Sequence, residues 1–282
     1  MNEQFRKRAI GVPAARSLLL TVLGEYVLPL EHGVWQETLV GALTTLGYSH
    51  QAARQAVARS VRDGWLTTER QGRRARMALS SSTGLLLESG AERIYSFGAE
   101  TAWDGRWLIV VLRVPEESRA VRHQLRSGLA WAGFGSIGGG IWLTPHVDRE
   151  REVKATLQRE PLADAVSFIA QFGTVGDPHQ VVSSAWELET VRAQYDEFIR
   201  RFSRVKPSGP VACFRELTLM VHAWRRFPFL DPDLPETLLP PRWPRARAHT
   251  LFADRRGRWS RAARGFFDAL EASVAAQRRT AA

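Results

Sequence analysis

Apolar residues recur every three or four positions through the first part of the chain, which is the spacing of helices with one buried face. One such run extends from Leu18 to Val27, and a second, "VWQETLVGALTTLG", ends at Gly47. A third run, residues 49–65, places on one side Ala53, Ala56, Val57, Ser60, Val61 and Trp65. Ser49 precedes it as the expected N-cap, because its hydroxyl accepts a free backbone N–H of the first turn. The pattern predicts three short helices, the last two joined by a tight turn.

The period of the pattern changes to two directly after the third helix. In "RRARMALS", Arg74 and Arg76 alternate with apolar residues, which is typical of a half-buried strand. Leu66 to Glu69 supplies its antiparallel partner, with Gln71-Gly72 near the turn. Helices followed by such a hairpin predict a winged helix-turn-helix, which with a linker helix occupies residues 1–98.

Residues 99–180 have a different pattern, which begins with the strand "RWLIVVLRV" and the helix "EESRAVRHQLRSGLAWAG". A glycine-turned hairpin, a polar helix and a last strand follow in "FGSIGGGIWLTP", "DREREVKATLQRE" and "AVSFIAQFG". The order β-α-β-β-α-β predicts a ferredoxin-like α/β sandwich. Gly133 to Gly138 spells G-x-G-x-x-G, but a helix precedes it and a strand follows, which excludes a dinucleotide-binding loop.

Residues 181–282 are predicted to be mainly helical. Helical periodicity runs through "SSAWELETVRAQYDEFIRRFSRV" and "VACFRELTLMVHAWRRF", and a last amphipathic helix begins at about Ala246. Between them, "PFLDPDLPETLLPPRWP" contains too many prolines for regular helix or a central strand. The predicted fold class is therefore α+β, with three consecutive domains.

Charge is the strongest compositional signal. The 282 residues have a net charge of +10, and all but three of the 39 basic residues are arginine. Such an excess indicates an acidic partner, most commonly nucleic acid, although a codon bias towards arginine gives the same count. A single cysteine excludes an intrachain disulfide and a multi-thiolate metal site. We recognise neither a secretory signal nor an apolar stretch long enough to span a membrane, and we therefore expect a cytoplasmic protein.

Arginine is concentrated in the predicted third helix and hairpin. Residues 49–76 contain seven arginines and only two acidic residues, Asp63 and Glu69. A helix fits the major groove, where arginine and glutamine pair with base edges, and hairpin arginines suit phosphates or the minor groove. We predict base contacts from Gln51, Arg54 and Gln55, with Ser49 and His50 at the start of the same interface. Phosphate or minor-groove contacts are predicted from Arg59, Arg70, Arg73, Arg74 and Arg76. A merely solvated face, or a winged helix that binds protein, is the alternative.

Several segments together resemble one family. These are the predicted winged helix, "WDGRWLIVVLRVPEE", "GGGIWLTP" and above all "HAWRRFPFLDPDLPETLLPPRWP". The sequence resembles the PaaX-type transcriptional regulators of phenylacetate catabolism over nearly its whole length. The family's arginines in the third helix match Arg54 and Arg59, and its "GRR" hairpin matches Gly72, Arg73 and Arg74. The family commonly has an acidic residue or glycine where this chain has Arg245, and an added cation there would change which effector fits.

The resemblance implies a cytoplasmic, dimeric, DNA-binding repressor with a Cas2-like middle domain. Its effector would be phenylacetyl-CoA or another acyl-CoA thioester that releases the protein from a double-stranded operator. Two winged helices of a symmetric dimer would then read successive major grooves of an imperfect palindrome.

The candidate effector-binding residues comprise two arginines, two tryptophans and one histidine. The arginines would bind phosphate groups, and the tryptophans would pack against an aryl or adenine ring. The five residues are His222, Trp224, Arg225, Arg226 and Trp243. Alternatively, the prolines and tryptophans only join the third domain to the second, with Arg226 paired to Asp231.

An enzymatic function is the remaining alternative. Nucleases with a related fold hold a metal with an aspartate at the end of the first strand, whereas here that strand ends Arg113-Val114-Pro115. No Ser/His/Asp order, Walker loop or HExxH helix is found. We therefore expect no catalytic residues, no metal and no enzyme.

Overall fold

The computed structural model describes residues 13–30, 32–71, 74–98, 103–115, 117–158 and 164–279. Helix α1 spans Ala15–Val22 and continues as a π-helical turn, Leu23–Val27. The next elements are β1 (Val34–Trp35), α2 (Gln36–Thr45), α3 (His50–Arg62), β2 (Leu66–Gln71), β3 (Arg74–Leu79) and α4 (Ser81–Ser96). The strands form an antiparallel sheet in the order β1-β3-β2.

The first two residues of the predicted second helix form a short strand and not a helical turn. Val34 and Trp35 pair with Met77 and Arg76 of β3, and the helix begins only at Gln36. Bulky β-branched and aromatic residues suit a strand, and pairing with β3 satisfies their backbone groups. The extra strand widens the hairpin to three strands.

The middle of the chain forms a four-stranded sheet with two helices. Its elements are β4 (Arg106–Arg113), α5 (Arg119–Trp131), β5 (Gly135–Gly138), β6 (Ile141–Thr144), α6 (Glu150–Leu157) and β7 (Asp164–Gln171). The strands are antiparallel in the order β5-β6-β4-β7, which confirms the predicted β-α-β-β-α-β succession. Leu108 and Val110 of β4 pack with Leu129 of α5 and Val153 of α6 in one buried cluster.

The last hundred residues are mainly helical, as predicted. The helices are α7 (Pro178–Ala185), α8 (Leu188–Ser203), α9 (Gly209–Trp224), α10 (Phe227–Leu230) and α11 (Arg245–Arg279). The single long helix predicted from Ser183 is wrong, because the chain is extended at Trp186. There the indole N–H donates to the carbonyl oxygen of Gly133 at 3.2 Å, a contact that the local sequence does not reveal.

The chain folds into two compact units, and their bounds differ from those of the three predicted domains. The N-terminal unit contains the described residues up to Ser96 together with Phe198–Arg225 and residues 249–279. The central unit contains the described residues of Phe97–Glu197 together with Arg226–Ala248. Residues of the predicted third domain are thus divided between the two units, so that α9 and most of α11 belong with the first three helices.

Aromatic residues form much of the core of the N-terminal unit. Tyr26 stacks on Phe267 of α11 at 5.2 Å between ring centroids, and its hydroxyl is hydrogen-bonded to Thr218 of α9 at 3.2 Å. Trp224 is fully buried and stacks on Phe252 at 4.7 Å. Each such side chain contributes about 2 kcal/mol of hydrophobic stabilisation when it is fully buried. The core therefore packs the segment that continues α1 against α9 and α11.

Among the described residues, none of the helices combines the length and the hydrophobicity that crossing a bilayer requires.

Candidate nucleic-acid interface

Helix α3 is anchored by one face and open on the other. Ala53, Ala56, Val57 and Ser60 are buried, and the helix packs against α1 and α2. Ser49 caps the helix as predicted, since its hydroxyl accepts the N–H of Ala52 at 3.2 Å. The turn before it requires Gly47, whose φ of 99° lies in the left-handed region that other residues seldom adopt.

The open face of α3 contains the residues predicted to read DNA. Exposed side chains along it are Ser49, His50, Gln51, Arg54, Gln55 and Arg59. Within the described part of the chain, Arg54 and Arg59 have no ion pair. The face therefore presents amide groups and uncompensated guanidinium groups to solvent, which are the donors and acceptors that base edges and phosphates recognise.

The acidic residue nearest the end of α3 is already neutralised. Asp63 binds Arg16 at 2.7 Å, and the Arg16 guanidinium lies over the Trp65 ring at 4.0 Å from its centroid. Arg62 approaches the same carboxylate at 3.7 Å but is 72% exposed. Because Arg16 compensates Asp63, the positive charge of α3 is not reduced by its only acidic neighbour in sequence.

The hairpin contributes one clearly exposed arginine. Arg70 lies on β2 opposite Ala75 of β3, and its side chain is exposed. Gly72 and Arg73, at the predicted turn, lie outside the described residues, and so does the side chain of Arg74. The predicted contacts of Arg73 and Arg74 therefore remain predictions.

Arg76 points into the protein rather than away from it. Its side chain is 24% exposed, its Nε donates to the carbonyl oxygen of Gly33 at 3.1 Å, and its guanidinium lies over the Trp35 ring at 5.0 Å. A guanidinium nitrogen also lies 3.6 Å from a carboxylate oxygen of Glu271. These contacts join β3 to β1 and α11, and the predicted DNA contact of Arg76 stays a prediction.

Glu271 is a residue that sequence reasoning missed. One of its carboxylate oxygens accepts the backbone N–H of Trp35 at 3.1 Å and the hydroxyl of Thr38 at 2.6 Å. A carboxylate at the start of α2 satisfies the backbone N–H of Trp35, the residue before the helix, and interacts favourably with the helix dipole. No local pattern reveals this contact, because Glu271 lies more than 230 positions further along the chain.

A second buried carboxylate lies in the π-helical turn that continues α1. Glu25, in the π-helical turn, accepts the hydroxyl of Tyr95 and lies 3.8 Å from a guanidinium nitrogen of Arg256. Burial raises the pKa of Glu25, and the charges of Arg256 and Arg264 oppose that rise. Arg264 also donates to the carbonyl oxygen of Tyr26 at 2.7 Å. These contacts attach α11 and α4 to the first helix.

Three of the predicted effector-binding residues lie in the N-terminal unit and make internal contacts. The His222 ring Nδ1 is hydrogen-bonded to the hydroxyl of Thr21 at 3.0 Å. The Trp224 indole donates to the carbonyl oxygen of Ile94 at 3.1 Å, and Arg225 donates to Ser17 at 3.0 Å. These side chains connect α9 to α1 and α4, and their predicted contact with an effector stays a prediction.

The other two predicted effector residues belong to the central unit. Trp243 is almost fully buried, with the Arg192 guanidinium 5.1 Å from its ring centroid and the Tyr195 ring edge-on at 6.3 Å. Arg226 is half-buried, and burial lowers its pKa.

Asp231 has a different partner from the one considered in the sequence analysis. Its carboxylate accepts from Nε and Nη2 of Arg245 at 3.0 and 2.8 Å, and from the Tyr195 hydroxyl at 2.7 Å. Burial and the Asp231 charge raise the pKa of Tyr195 well above its usual value. Burial alone would lower the pKa of Arg245, but the Asp231 carboxylate outweighs it and raises that pKa. Arg245 is therefore a paired structural cation and not an added charge for a ligand.

Among the described residues, no group of three or more His, Cys, Asp or Glu side chains is arranged to hold a metal ion.

Three family models match consecutive parts of the chain. The model described as "PaaX-like protein" matches residues 14–83, "PaaX protein central Cas2-like domain" matches residues 100–182, and "PaaX-like protein C-terminal domain" matches residues 186–269. The second match confirms the Cas2-like middle domain that the resemblance implied.

Individual proteins are also similar to the chain. The transcriptional repressor PaaX of Escherichia coli (strain K12) is 29% identical over 255 residues, which cover 86% of this chain and 79% of that protein. The structure of the uncharacterized protein Rv0674 from Mycobacterium tuberculosis matches with a TM-score of 0.63 and 21% identity. That match covers 91% of this chain and 98% of the other, and it concerns the fold alone. The name of the E. coli relative agrees with the prediction of a regulator rather than an enzyme.

Proposed function

Because this chain belongs to the PaaX family of transcriptional regulators, we propose that it is a sequence-specific DNA-binding repressor. In this proposal the segment from α1 to β3 is a winged helix. Helix α3 enters the major groove, and the β2–β3 hairpin lies along the neighbouring backbone.

The outer face of α3 is the observation that carries the proposal. Gln51, Arg54 and Gln55 are exposed on a helix whose opposite side is fully packed, so the helix is held rigidly while these side chains remain available. Arginine pairs bidentately with guanine and glutamine with adenine. Arg59 and Arg70, both exposed, supply phosphate contacts in this proposal.

We further propose that the protein acts as a homodimer on a two-fold operator. A single α3 contacts only a few base pairs, whereas two copies related by a dyad read half-sites about one helical turn apart. Sedimentation or light scattering that finds only a monomer at the concentrations of DNA binding contradicts this part of the proposal.

The regulated genes are proposed to be those of aromatic-acid catabolism, with an acyl-CoA thioester such as phenylacetyl-CoA as the effector. The E. coli relative is named a transcriptional repressor, and the resemblance of the proline-rich segment to PaaX-type regulators supports the same assignment. An effector lowers operator affinity only if it binds better to the free conformation than to the DNA-bound one.

A fluorescence-anisotropy titration tests the function directly. The duplex is the DNA upstream of the protein's own gene, and a shuffled duplex of the same composition is the control. We expect the specific duplex to bind on the order of a thousand times more tightly than the shuffled one at physiological salt. Equal affinity for both duplexes contradicts sequence-specific recognition.

The effector is tested in the same titration. Phenylacetyl-CoA, acetyl-CoA and free phenylacetate are added to the preformed complex, and only phenylacetyl-CoA is expected to release the DNA. The intact length of the DNA after incubation with Mg²⁺ separates a regulator from a nuclease, since a nuclease shortens the strands.

A further inference from the structure

The C-terminal part of α11 contacts several elements of the proposed winged helix. Leu270 lies against α2 at Gly41, where an added side chain would come within 3.2 Å of the leucine methyl carbons. Glu271, the next residue, contacts β1, the start of α2 and β3. All of these residues belong to the N-terminal unit. One helix from the far end of the chain therefore contacts the first part of the winged helix and its hairpin at once.

The backbone pairing between β1 and the hairpin is short. β1 pairs with β3 through two residues, Val34 with Met77 and Trp35 with Arg76. The two strands approach closely because residue 33 is glycine, and a side chain there would lie 2.5 Å from the carbonyl oxygen of Met77. Two-stranded pairing is marginally stable on its own in water. The angle of the hairpin to α2 therefore depends on side-chain contacts as well as on the backbone hydrogen bonds.

Glu271 supplies such contacts to three elements with a single carboxylate. One oxygen accepts the backbone N–H of Trp35 at 3.1 Å and the hydroxyl of Thr38 at 2.6 Å. The other oxygen lies 3.6 Å from a guanidinium nitrogen of Arg76. Arg76 in turn donates from Nε to the carbonyl oxygen of Gly33 at 3.1 Å. These contacts form a closed cluster that joins β1, α2, β3 and α11.

The cluster is largely shielded from solvent. Thr38 is fully buried, and the side chains of Glu271 and Arg76 are half-buried. Charges in such a setting are screened by salt much less than exposed charges are. A buried hydroxyl that lost its acceptor would pay the full cost of its desolvation. The cluster therefore favours one arrangement of the elements that it joins.

We propose that Glu271 is a positioning residue for DNA recognition, which fixes the β2–β3 hairpin relative to α2 and α3 without contacting DNA itself. Helix α3 packs against α2, so the position of α2 also sets that of the predicted base-contacting face. A helix and a hairpin read one site only if both reach it together, because binding groups must be held within about 0.5 Å of their productive geometry. The role in recognition rests on the proposed function, whereas the fixing of the hairpin does not.

A distance measurement in the free protein tests the positioning without any DNA. Spin labels are attached to the full-length protein at Gln51→Cys on α3 and Glu69→Cys on β2, both exposed positions, and Cys213→Ala removes the native thiol. Double electron–electron resonance is expected to give one narrow distance distribution. In Glu271→Ala the distribution is expected to broaden, because the hairpin is no longer held at one angle. An unchanged distribution in Glu271→Ala overturns the proposal.

Asp268→Ala is the matched control for this measurement. It removes the same charge from an exposed position of the same helix, three residues earlier, and it is expected to keep the distance distribution of the wild type. Equal broadening in both variants overturns the proposal. Thermal melting checks that each variant is folded, and Glu271→Gln, which keeps the size of the side chain but loses its charge, replaces Glu271→Ala if the latter does not fold. An unchanged distribution in Glu271→Gln then overturns the proposal in the same way.

Operator binding tests the consequence for recognition through the sign of the effect. Removal of a carboxylate makes the protein more positive, and electrostatics alone then predicts tighter binding of every duplex. Lost positioning predicts instead that the affinity of Glu271→Ala for the specific duplex, relative to the shuffled one, falls about tenfold, which is the discrimination of one good base contact. Asp268→Ala is expected to keep the ratio of the wild type. An unchanged ratio in folded Glu271→Ala refutes the role in recognition.

The positioning of the hairpin and the proposed function fail separately. If the wild type binds both duplexes alike while Glu271→Ala broadens the distance distribution, the repressor is refuted and the positioning of the hairpin stands. If the wild type discriminates between the duplexes while Glu271→Ala changes neither the distribution nor the affinity ratio, the repressor stands and the positioning role of Glu271 is refuted.

Discussion

Two arginine-rich regions of this protein show opposite uses of the same side chain. On α3, Arg54 and Arg59 are exposed and have no ion pair among the described residues. In the central unit, Arg245 is 13% exposed and forms an ion pair with Asp231, whose side chain is fully buried. The first arrangement leaves charge available to a partner, and the second uses it to hold the proline-rich segment in place.

The comparison shows why a basic composition alone does not locate a binding surface. Arg74 and Arg76 stand two positions apart in a strand of the same hairpin, and the pattern assigned both to DNA. Arg76 is paired with Glu271 and lies over the Trp35 ring, and its predicted DNA contact is untested. An exposed arginine without an internal ion pair is free to neutralise a phosphate, which is the main source of affinity for nucleic acid. The following predictions test that distinction.

The largest effect is expected for Asp231→Asn. The substitution leaves the Arg245 charge buried without its carboxylate, and breaking such a pair typically costs about 3 kcal/mol or more of unfolding free energy. Urea denaturation measures the loss. Asp254→Asn is the matched control, because its pair with Arg258 is exposed and is worth less than about 1 kcal/mol. Equal stability of the two variants contradicts the structural role of Arg245.

Arg54→Ala is expected to cost about 1–3 kcal/mol of operator-binding free energy and to relax one base position, with unfolding unchanged. Arg70→Ala is expected to weaken all duplexes alike and to reduce the salt slope by about one. Anisotropy titrations at several salt concentrations compare them, with Arg62→Ala as the control from the far end of α3. Identical behaviour of the Arg54 and Arg70 variants refutes the division between base and phosphate contacts.

Arg76→Ala is expected to lower the unfolding free energy by about 1.5 kcal/mol, because the hydrogen bonds to the Gly33 carbonyl oxygen and the ion pair with Glu271 are lost. Arg70→Ala, at an exposed position on the neighbouring strand, is expected to change it by less than about 0.5 kcal/mol. Thermal melting followed by circular dichroism distinguishes them. If Arg76→Ala weakens DNA binding without changing the melting temperature, Arg76 contacts DNA as the sequence predicts and does not stabilise the sheet.

The smallest effect is a pH dependence that Glu25 introduces. Burial raises its pKa above the usual value of 4.5, so the folded state binds its proton more tightly than the unfolded state does. Stability therefore falls as the pH rises from the unfolded pKa through the folded one. In Glu25→Gln this contribution is absent, so the variant should gain stability relative to wild type as the pH rises above the usual value of 4.5. Melting curves that shift in parallel contradict the prediction.

The sequence predicted the elements that local pattern controls. Helix α3 with its Ser49 cap, the β2–β3 hairpin and the β-α-β-β-α-β succession all follow from periodicity and turn residues. The exposed positions of Gln51, Arg54 and Gln55 follow from the same helical period, because a buried stripe defines its opposite face. That much of the candidate interface was available from the sequence.

Contacts between distant segments are what the pattern could not supply. Trp186 breaks a predicted helix because its indole reaches Gly133, and Val34-Trp35 forms a strand because β3 offers a partner.

The amino-acid order by itself determined which segments are helix or strand, and which side of α3 is polar, since neighbours a few residues apart decide both. Tertiary structure alone decided the state of each arginine. Whether a guanidinium group is paired or available depends on a carboxylate beside it. Glu271 and Asp231 are distant in sequence from Arg76 and Arg245, so only folding brings each carboxylate next to its arginine.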